Sequence, residues 1–373
     1  MNRKNICEIC TLIMGQSPDS KSYNKDKNGI PFYQGNADFG EEHPTPTVWC
    51  TAPKKIARKG DILISVRAPI GDMNIANEDC CIGRGLAAIR LNKSDIVDIN
   101  YLYHYLSATV EFLQEQGTGS TFKAINKTTL EGIEIPCPSI EKQKNIAKLI
   151  IEIKTSIQYK KAELFALNEL VKSRFIEMFG TLDLSIQGET WLPLSDVSTI
   201  FTGTTPSTKD SENWNGDIPW VTPAELSDDS FVVCDTERKI TQKGMKSKSL
   251  SLMPKNTVLL STRAPIGKVA ITGIEMCCNQ GFKNFYCNNT VLNPIYLYTL
   301  LRNNSEYLNS LGTGTTFKEI SKKNASNIKV PVADISLQNE FADFVKLIDK
   351  SKFVGYFTLN IFYVKSSHFH HPP

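Results

Sequence analysis

Several side-chain clusters in this sequence have types and spacings that could do chemistry. Cys7-Glu8-Ile9-Cys10 has the gap of half a zinc finger, but no second such pair or nearby histidine pair completes a four-ligand set. The pairs Cys80-Cys81 and Cys277-Cys278 sit in apolar, strand-like runs and read as small core residues. His368, His370 and His371 lie at the chain's end without an acidic or cysteine partner, so no metal site is expected. Asn293-Pro294-Ile295-Tyr296 approaches the run with which an adenine methyltransferase holds a flipped base. Asn293 as a helix cap with Pro294 in the first turn is the better reading. Phe201-Thr202-Gly203-Thr204-Thr205 lacks the second glycine of a cofactor loop, and no GxxxxGK[ST] phosphate loop occurs. The chain is therefore expected to hold no cofactor and to catalyse nothing itself.

What remains is charge and hydrogen-bonding capacity. The net charge of the 373 residues is only +3, so any contact with a polyanion must come from local clusters. Lys54, Lys55, Arg58 and Lys59 form one, and Lys239, Lys243, Lys246 and Lys248 another. Either is equally a solvated face. With 41% hydrophobic and 22% charged residues, the composition is that of a globular protein with room for two or three domains. No run approaches the roughly 20 apolar residues of a membrane span, and Met1-Asn2-Arg3-Lys4 is not followed by a signal-peptide core. A cytoplasmic protein without membrane contact is expected.

The elements that must position these residues occur twice. Leu63-Ile64-Ser65-Val66-Arg67-Ala68-Pro69-Ile70-Gly71 returns as Leu259-Leu260-Ser261-Thr262-Arg263-Ala264-Pro265-Ile266-Gly267, and Gly117-Thr118-Gly119-Ser120-Thr121-Phe122-Lys123 returns as Gly312-Thr313-Gly314-Thr315-Thr316-Phe317-Lys318. Two ordered pairs at nearly one offset imply a duplicated domain, because local turn chemistry does not fix long-range spacing. Each copy is strand-rich, with a helix expected over 101–116 and 294–311.

Between the copies, from Glu141 to Phe179, glycine and proline vanish and apolar residues follow helical steps. Ile146, Ile150, Ile153, Ile157, Leu164, Leu167 and Val171 define a seam of about five heptads, which predicts a coiled-coil helix roughly 58 Å long. Phe341, Val345 and Ile348 repeat the steps in a second helix from about Leu337. Its pattern fades near Phe353, where Gly355 and an aromatic, β-branched run are expected to end the helix in strand or disorder. The expected division is 1–138, a spacer helix 139–180, 181–334, a short helix 335–353 and a divergent tail 354–373. A truncated or rearranged gene is the reading of that tail.

Together, the Arg-Ala-Pro-Ile-Gly and Gly-Thr-Gly motifs, the helices opening with Glu141-Lys142-Gln143 and Ser336-Leu337-Gln338, and Ser173-Arg174-Phe175-Ile176-Glu177-Met178-Phe179-Gly180 resemble the specificity subunit of type I restriction-modification systems. The resemblance covers about residues 1–353. It implies an α+β fold, with two strand-rich target-recognition domains in pseudo-twofold repeat joined by long helices that form an antiparallel coiled coil. It further implies that each domain reads one half of a split double-stranded DNA target. Two methyltransferase subunits, which would carry AdoMet, and restriction/translocase subunits would dock on the chain.

Two roles then follow for polar residues. Lys123, Lys318 and the Gly-Thr-Gly hydroxyls of Thr118, Ser120, Thr121, Thr313, Thr315 and Thr316 are candidate phosphate contacts, against a structural role in closing the turn. Arg67 and Arg263, shared by both copies, bind phosphate or form structural ion pairs. Base readers should instead differ between copies. That points to Tyr33, Gln34, Asn36 and Arg84 in the first, and to Thr222 and Gln280 in the second. Competing readings are a protein–protein adaptor and a self-contained DNA methyltransferase.

Overall fold

A computed structural model describes the chain except for Met1, 118–122, Gln187, Glu189, Asp228, Asp229, Ala264, 315–317 and 368–373; Phe353, Val354 and 356–367 are described in backbone only. The chain divides into two compact units, Met1–Tyr159 with Ile361–Pro373, and Lys160–Asn360.

In the first unit four antiparallel strands form the main sheet, in the order Cys10–Met14, Leu86–Leu91, Ile62–Ser65, Met73–Ile75. Successive side chains of a strand point to opposite faces, and here both faces are covered. Ile62 and Ile64 enter one core, while Leu63 enters another with Tyr33 and Leu86. The second unit repeats this sheet as Ser198–Thr202, Phe282–Cys287, Val258–Ser261, Val269–Thr272, with Val232–Val233 added in parallel at the edge. Val258 and Leu260 again face one core and Leu259 the other. The doubly buried sheet explains why these strands read as unbroken apolar runs.

Among the described residues, four helices of ten residues or more accompany the sheets: α1 (Ile99–Ala108), α2 (Ile140–Phe179), α3 (Pro294–Asn303) and α4 (Ile335–Ser367). Asp98 caps α1, and Asn293 caps α3 with Pro294 in its first turn. Gln143 and Gln338, both fully buried, fix the long helices to these caps. Gln143 accepts from the Asp98 N–H and donates to the Ile96 and Pro138 carbonyls, each at 2.9 Å. Gln338 accepts from the Asn293 N–H at 2.9 Å and donates to the Val291 and Ala333 carbonyls at 3.0 and 2.8 Å. An amide has both donors and acceptor satisfied in this arrangement. That is the physical content of the glutamine shared by the two helix openings.

Along α2 the residues Ile146, Ile150, Ile153, Ile157, Leu167 and Val171 are half-buried and Leu164 is buried. Ile146 and Ala147 pack on the first unit's core and Phe175 on the second's. The helix therefore contributes residues to both units. In the second unit α2 runs antiparallel to α4. The Phe175 and Phe341 rings meet edge to face at 5.3 Å, Arg174 pairs with Glu340 at 3.2 Å, and Lys352 donates to Asn168 Oδ1 at 2.6 Å. Phe341, Val345 and Ile348 are all buried, the first two in one core with Phe175.

The expected end of the second helix near Phe353 is wrong. α4 continues through Gly355 to Ser367. Gly355 is buried, and a Cβ there would sit 3.1 Å from Leu164 Cδ2. The missing side chain lets the helices approach, and this packing outweighs a helix-propensity deficit of about 1 kcal/mol.

Candidate nucleic-acid interface

In the first unit three loops meet through main-chain bonds. Gly83 N–H donates to the Tyr33 carbonyl at 2.8 Å, Gly85 N–H to Gln34 at 3.0 Å, Gln16 N–H to Ile82 at 3.0 Å and Gly15 N–H to Leu86 at 2.9 Å. The loops are so close that a Cβ on Gly83 would meet Gln34 at 2.5 Å and one on Gly85 would meet its carbonyl at 2.5 Å. Ser17, Gln34 and Arg84 emerge together from this junction. The Ser17 hydroxyl donates to Gln34 Oε1 at 2.9 Å and accepts from the Arg84 N–H at 3.3 Å. Gln34 and Arg84 are exposed. Asn36, half-buried, donates to Asp72 at 2.5 Å.

The junction continues to the shared arginine. Val66 N–H donates to the Gly85 carbonyl at 2.9 Å, Ala68 N–H to Lys123 at 3.1 Å and Ile125 N–H to Val66 at 2.9 Å. Arg84, Arg67 and Lys123 thus follow one another along one exposed strip, and none has an ion pair among the described residues. Lys54, Lys55, Arg58 and Lys59 are also exposed and lack ion pairs among the described residues, on the loop whose Lys55 carbonyl accepts from Ile82 at 3.0 Å.

The second unit builds the same junction with other side chains. Thr205, in the place of Ser17, donates at 2.6 Å to Oε1 of Gln280, which stands in the place of Arg84, and Thr262 N–H donates to the Gly281 carbonyl at 2.7 Å. Gln280 and Lys318 are exposed. Arg263 differs from Arg67, because its guanidinium pairs with Glu319 at 2.9 Å. Lys283, with 9% of its side chain exposed, joins the same carboxylate at 3.3 Å. Burial alone would raise the Glu319 carboxyl, but its hydrogen bonds from Arg263 and Lys283 hold it below the usual value. The first copy has Ala124 and Ala87 in the places of Glu319 and Lys283. The second basic cluster is also partly neutralised, Lys239 by Asp235 at 3.2 Å and Lys243 by Asp210 at 3.1 Å.

Both shared motifs have structural work as well. Ser65 donates to the Pro69 carbonyl, and Ser261 to Pro265 at 2.7 Å. Gly71 and Gly267 adopt φ of +97° and +94°, which favours glycine. Gly117 and Gly312 pack on Ile70 and Ile266, where a Cβ would come within 2.8 and 2.7 Å. The two motifs therefore touch each other in both units.

Over residues 1–169 and 189–353 the chain matches the family described as type I restriction modification DNA specificity domain. The chain belongs to this family. Over 152 residues, 41% of this chain and 36% of the relative, it is 49% identical to a Methanocaldococcus jannaschii protein named for the specificity subunit of type I restriction enzyme MjaX. The MjaIX specificity subunit of the same organism is 36% identical over 185 residues, 48% of this chain and 43% of that one. The chain spans less than half the length of these curated relatives. The crystal structure of a type I restriction-modification S subunit from M. genitalium has the same fold, with a TM-score of 0.65 over 99% of this chain and 94% of that chain at 14% identity.

As a specificity-domain protein the chain places its expected readers unevenly. Tyr33 is not one of them: it is fully buried, burial pushes its phenol well up, and its hydroxyl has no partner among the described residues. Phe32 and Tyr33 point to opposite faces of their strand, and each face has its own core. Thr222 caps a short turn, donating to Glu225 Oε1 at 3.0 Å. Thr313 closes its turn by two main-chain bonds with Glu319, at 3.1 and 3.0 Å. Thr118, Ser120, Thr121, Thr315 and Thr316 lie outside the described residues. Cys80, Cys81, Cys277 and Cys278 are buried core residues, their thiols raised by burial to about 12, 11, 11 and 12. Ser17, Thr205, Glu319 and Lys283 were missed. Pairing Gly15-Gln16-Ser17 with Gly203-Thr204-Thr205 would have exposed the first two, and the change from Ala124 to Glu319 just after a shared motif would have exposed the third.

Proposed function

We propose that the chain is the DNA-recognition subunit of a type I restriction-modification complex. Each unit reads one half of a bipartite double-stranded target, and methyltransferase and restriction subunits carry the chemistry, with AdoMet held by the former. One observation supports this reading best. The two units share three main-chain bonds at this junction, Gly83 to Tyr33, Val66 to Gly85 and Ile125 to Val66 in one and Asn279 to Val221, Thr262 to Gly281 and Ile320 to Thr262 in the other, yet expose different polar side chains there, Gln34 and Arg84 in the first and Gln280 in the second. Conserved scaffolding with divergent donors is what two readers of different half-sites require. Arg67 and Lys123 supply phosphate contacts beside the first reader.

Co-expression with the cognate methyltransferase subunits, followed by genome-wide mapping of methylated adenines, tests this. The expected result is a two-part motif with a fixed gap that disappears without this chain. Methylation independent of the chain, or AdoMet binding by the isolated chain, would overturn the reading.

A further inference from the structure

In the second unit the strand Lys239–Ile240 pairs with Trp214–Val221, with Lys239 opposite Pro219. Next in that register comes Arg238, whose carbonyl accepts from the Trp220 N–H at 3.1 Å. Arg238 is exposed, yet its guanidinium lies 3.5 Å from the centre of the Trp214 ring and 5.6 Å from that of Trp220. The two rings form a fixed platform. They are 8% and 2% exposed, meet edge to face at 5.1 Å, and donate through Nε1 to the Ser207 and Thr204 carbonyls, both at 3.1 Å.

An exposed arginine ordinarily keeps its rotamer freedom, whereas one stacked on a buried ring has its plane set in advance. The neighbouring carboxylates do not account for the orientation. Asp235 pairs with Lys239, Asp210 and Glu212 with Lys243, and Glu225 with Thr222 and the Glu237 N–H. Among the described residues no acceptor takes the guanidinium's donors. Thr204, which receives the Trp220 indole, precedes Thr205, the partner of Gln280. The oriented fork therefore adjoins the second unit's reading junction.

We propose that Arg238, held over the Trp214 ring, is a specificity-determining residue that forks onto a guanine in the half-site read by the second unit. Arginine is the side chain that matches guanine O6 and N7 with two donors, and a pre-set plane is what such bidentate contact uses. A phosphate contact needs the charge but not the plane. Trp214 is then the positioning residue. This inference rests on the DNA-reading function proposed above.

The test is selection of a randomised duplex library by the full chain assembled with its methyltransferase subunits. The wild type should enrich a bipartite motif with a guanine in one half. Arg238→Ala should lower discrimination at that one base pair by roughly tenfold or more and leave the other half intact. Arg238→Lys, which keeps the charge and loses the fork, should relax the same position with the salt dependence of affinity retained. Trp214→Leu should relax it in part. An unchanged motif in Arg238→Ala, or full discrimination in Arg238→Lys, would overturn the assignment. A uniform loss across all sequences would make Arg238 a phosphate contact and overturn it equally. Absence of any motif in the wild type would instead sink the DNA-reading function on which it rests.

Discussion

Arg67 and Arg263 hold equivalent places but face different charges. Arg263 and Lys283 share Glu319, while Ala124 and Ala87 leave Arg67 without a carboxylate. A cation already paired within the protein releases few counterions when DNA arrives. Arg67→Ala is therefore expected to weaken binding to all duplexes alike and to make the salt slope shallower by about one unit, with Lys123→Ala doing the same. Arg263→Ala should move the slope much less; equal slopes for Arg67→Ala and Arg263→Ala, measured across a salt series, would show that the pairing has no consequence for DNA. Arg84→Ala should instead relax discrimination at a single base pair of the first half-site, by about 1–3 kcal/mol, read from affinities for singly substituted duplexes. These side chains were legible as candidates because both copies could be aligned. Which arginine was neutralised was not, because Glu319 reaches it through a bridge between distant segments. Tyr33 misled for a related reason: a strand buried on both faces carries no alternation to separate inside from outside.

Among the elements, the long helices were the most legible, since a seam of three- and four-residue steps survives whatever the loops do. Ile146, Ile150, Ile153, Ile157, Leu167 and Val171 are half-buried along one continuous helix, and Gln143 and Gln338 mark both helix starts through equivalent networks. The end of α4 was not legible. Propensity scored Gly355 as a breaker, whereas the paired helix supplies Leu164 to fill the space a side chain would take. Gly355→Leu should therefore destabilise the second unit by about 1–3 kcal/mol through overpacking. Ending the chain after Phe353 should also destabilise it, because Leu164 loses part of its cover and a buried leucine contributes about 1.5–3 kcal/mol. Thermal or denaturant unfolding of both variants decides the matter. Unfolding midpoints equal to the wild type would return the segment after Phe353 to the status of a dispensable tail.

At the scale of the whole molecule, the duplication and the helix between its copies make one mechanical prediction. α2 is a single uninterrupted helix of 40 residues, and the boundary between the two compact units falls within it at Tyr159 and Lys160. The helix contributes to both units, and on the proposed function its length should set the gap between the two half-sites. Exchanging residues 1–138 for the matching domain of a relative should then alter one half of the methylated motif and leave the other half intact. Length is the sharper lever. Four helix-forming residues inserted between Tyr159 and Lys160, matched by four more between Asn360 and Ile361 where α4 passes from the second unit to the first, leave Leu164 on Gly355 and Phe175 on Phe341 in place. Each insertion would extend its helix by about 6 Å with a net turn of about 40°, close to two base-pair steps along DNA at roughly 3.4 Å each. The methylated motif should keep both halves and gain about two positions in its gap. Mapping that preserved the original gap would mean that the helix does not set the spacing, and that the units reach their half-sites independently of it.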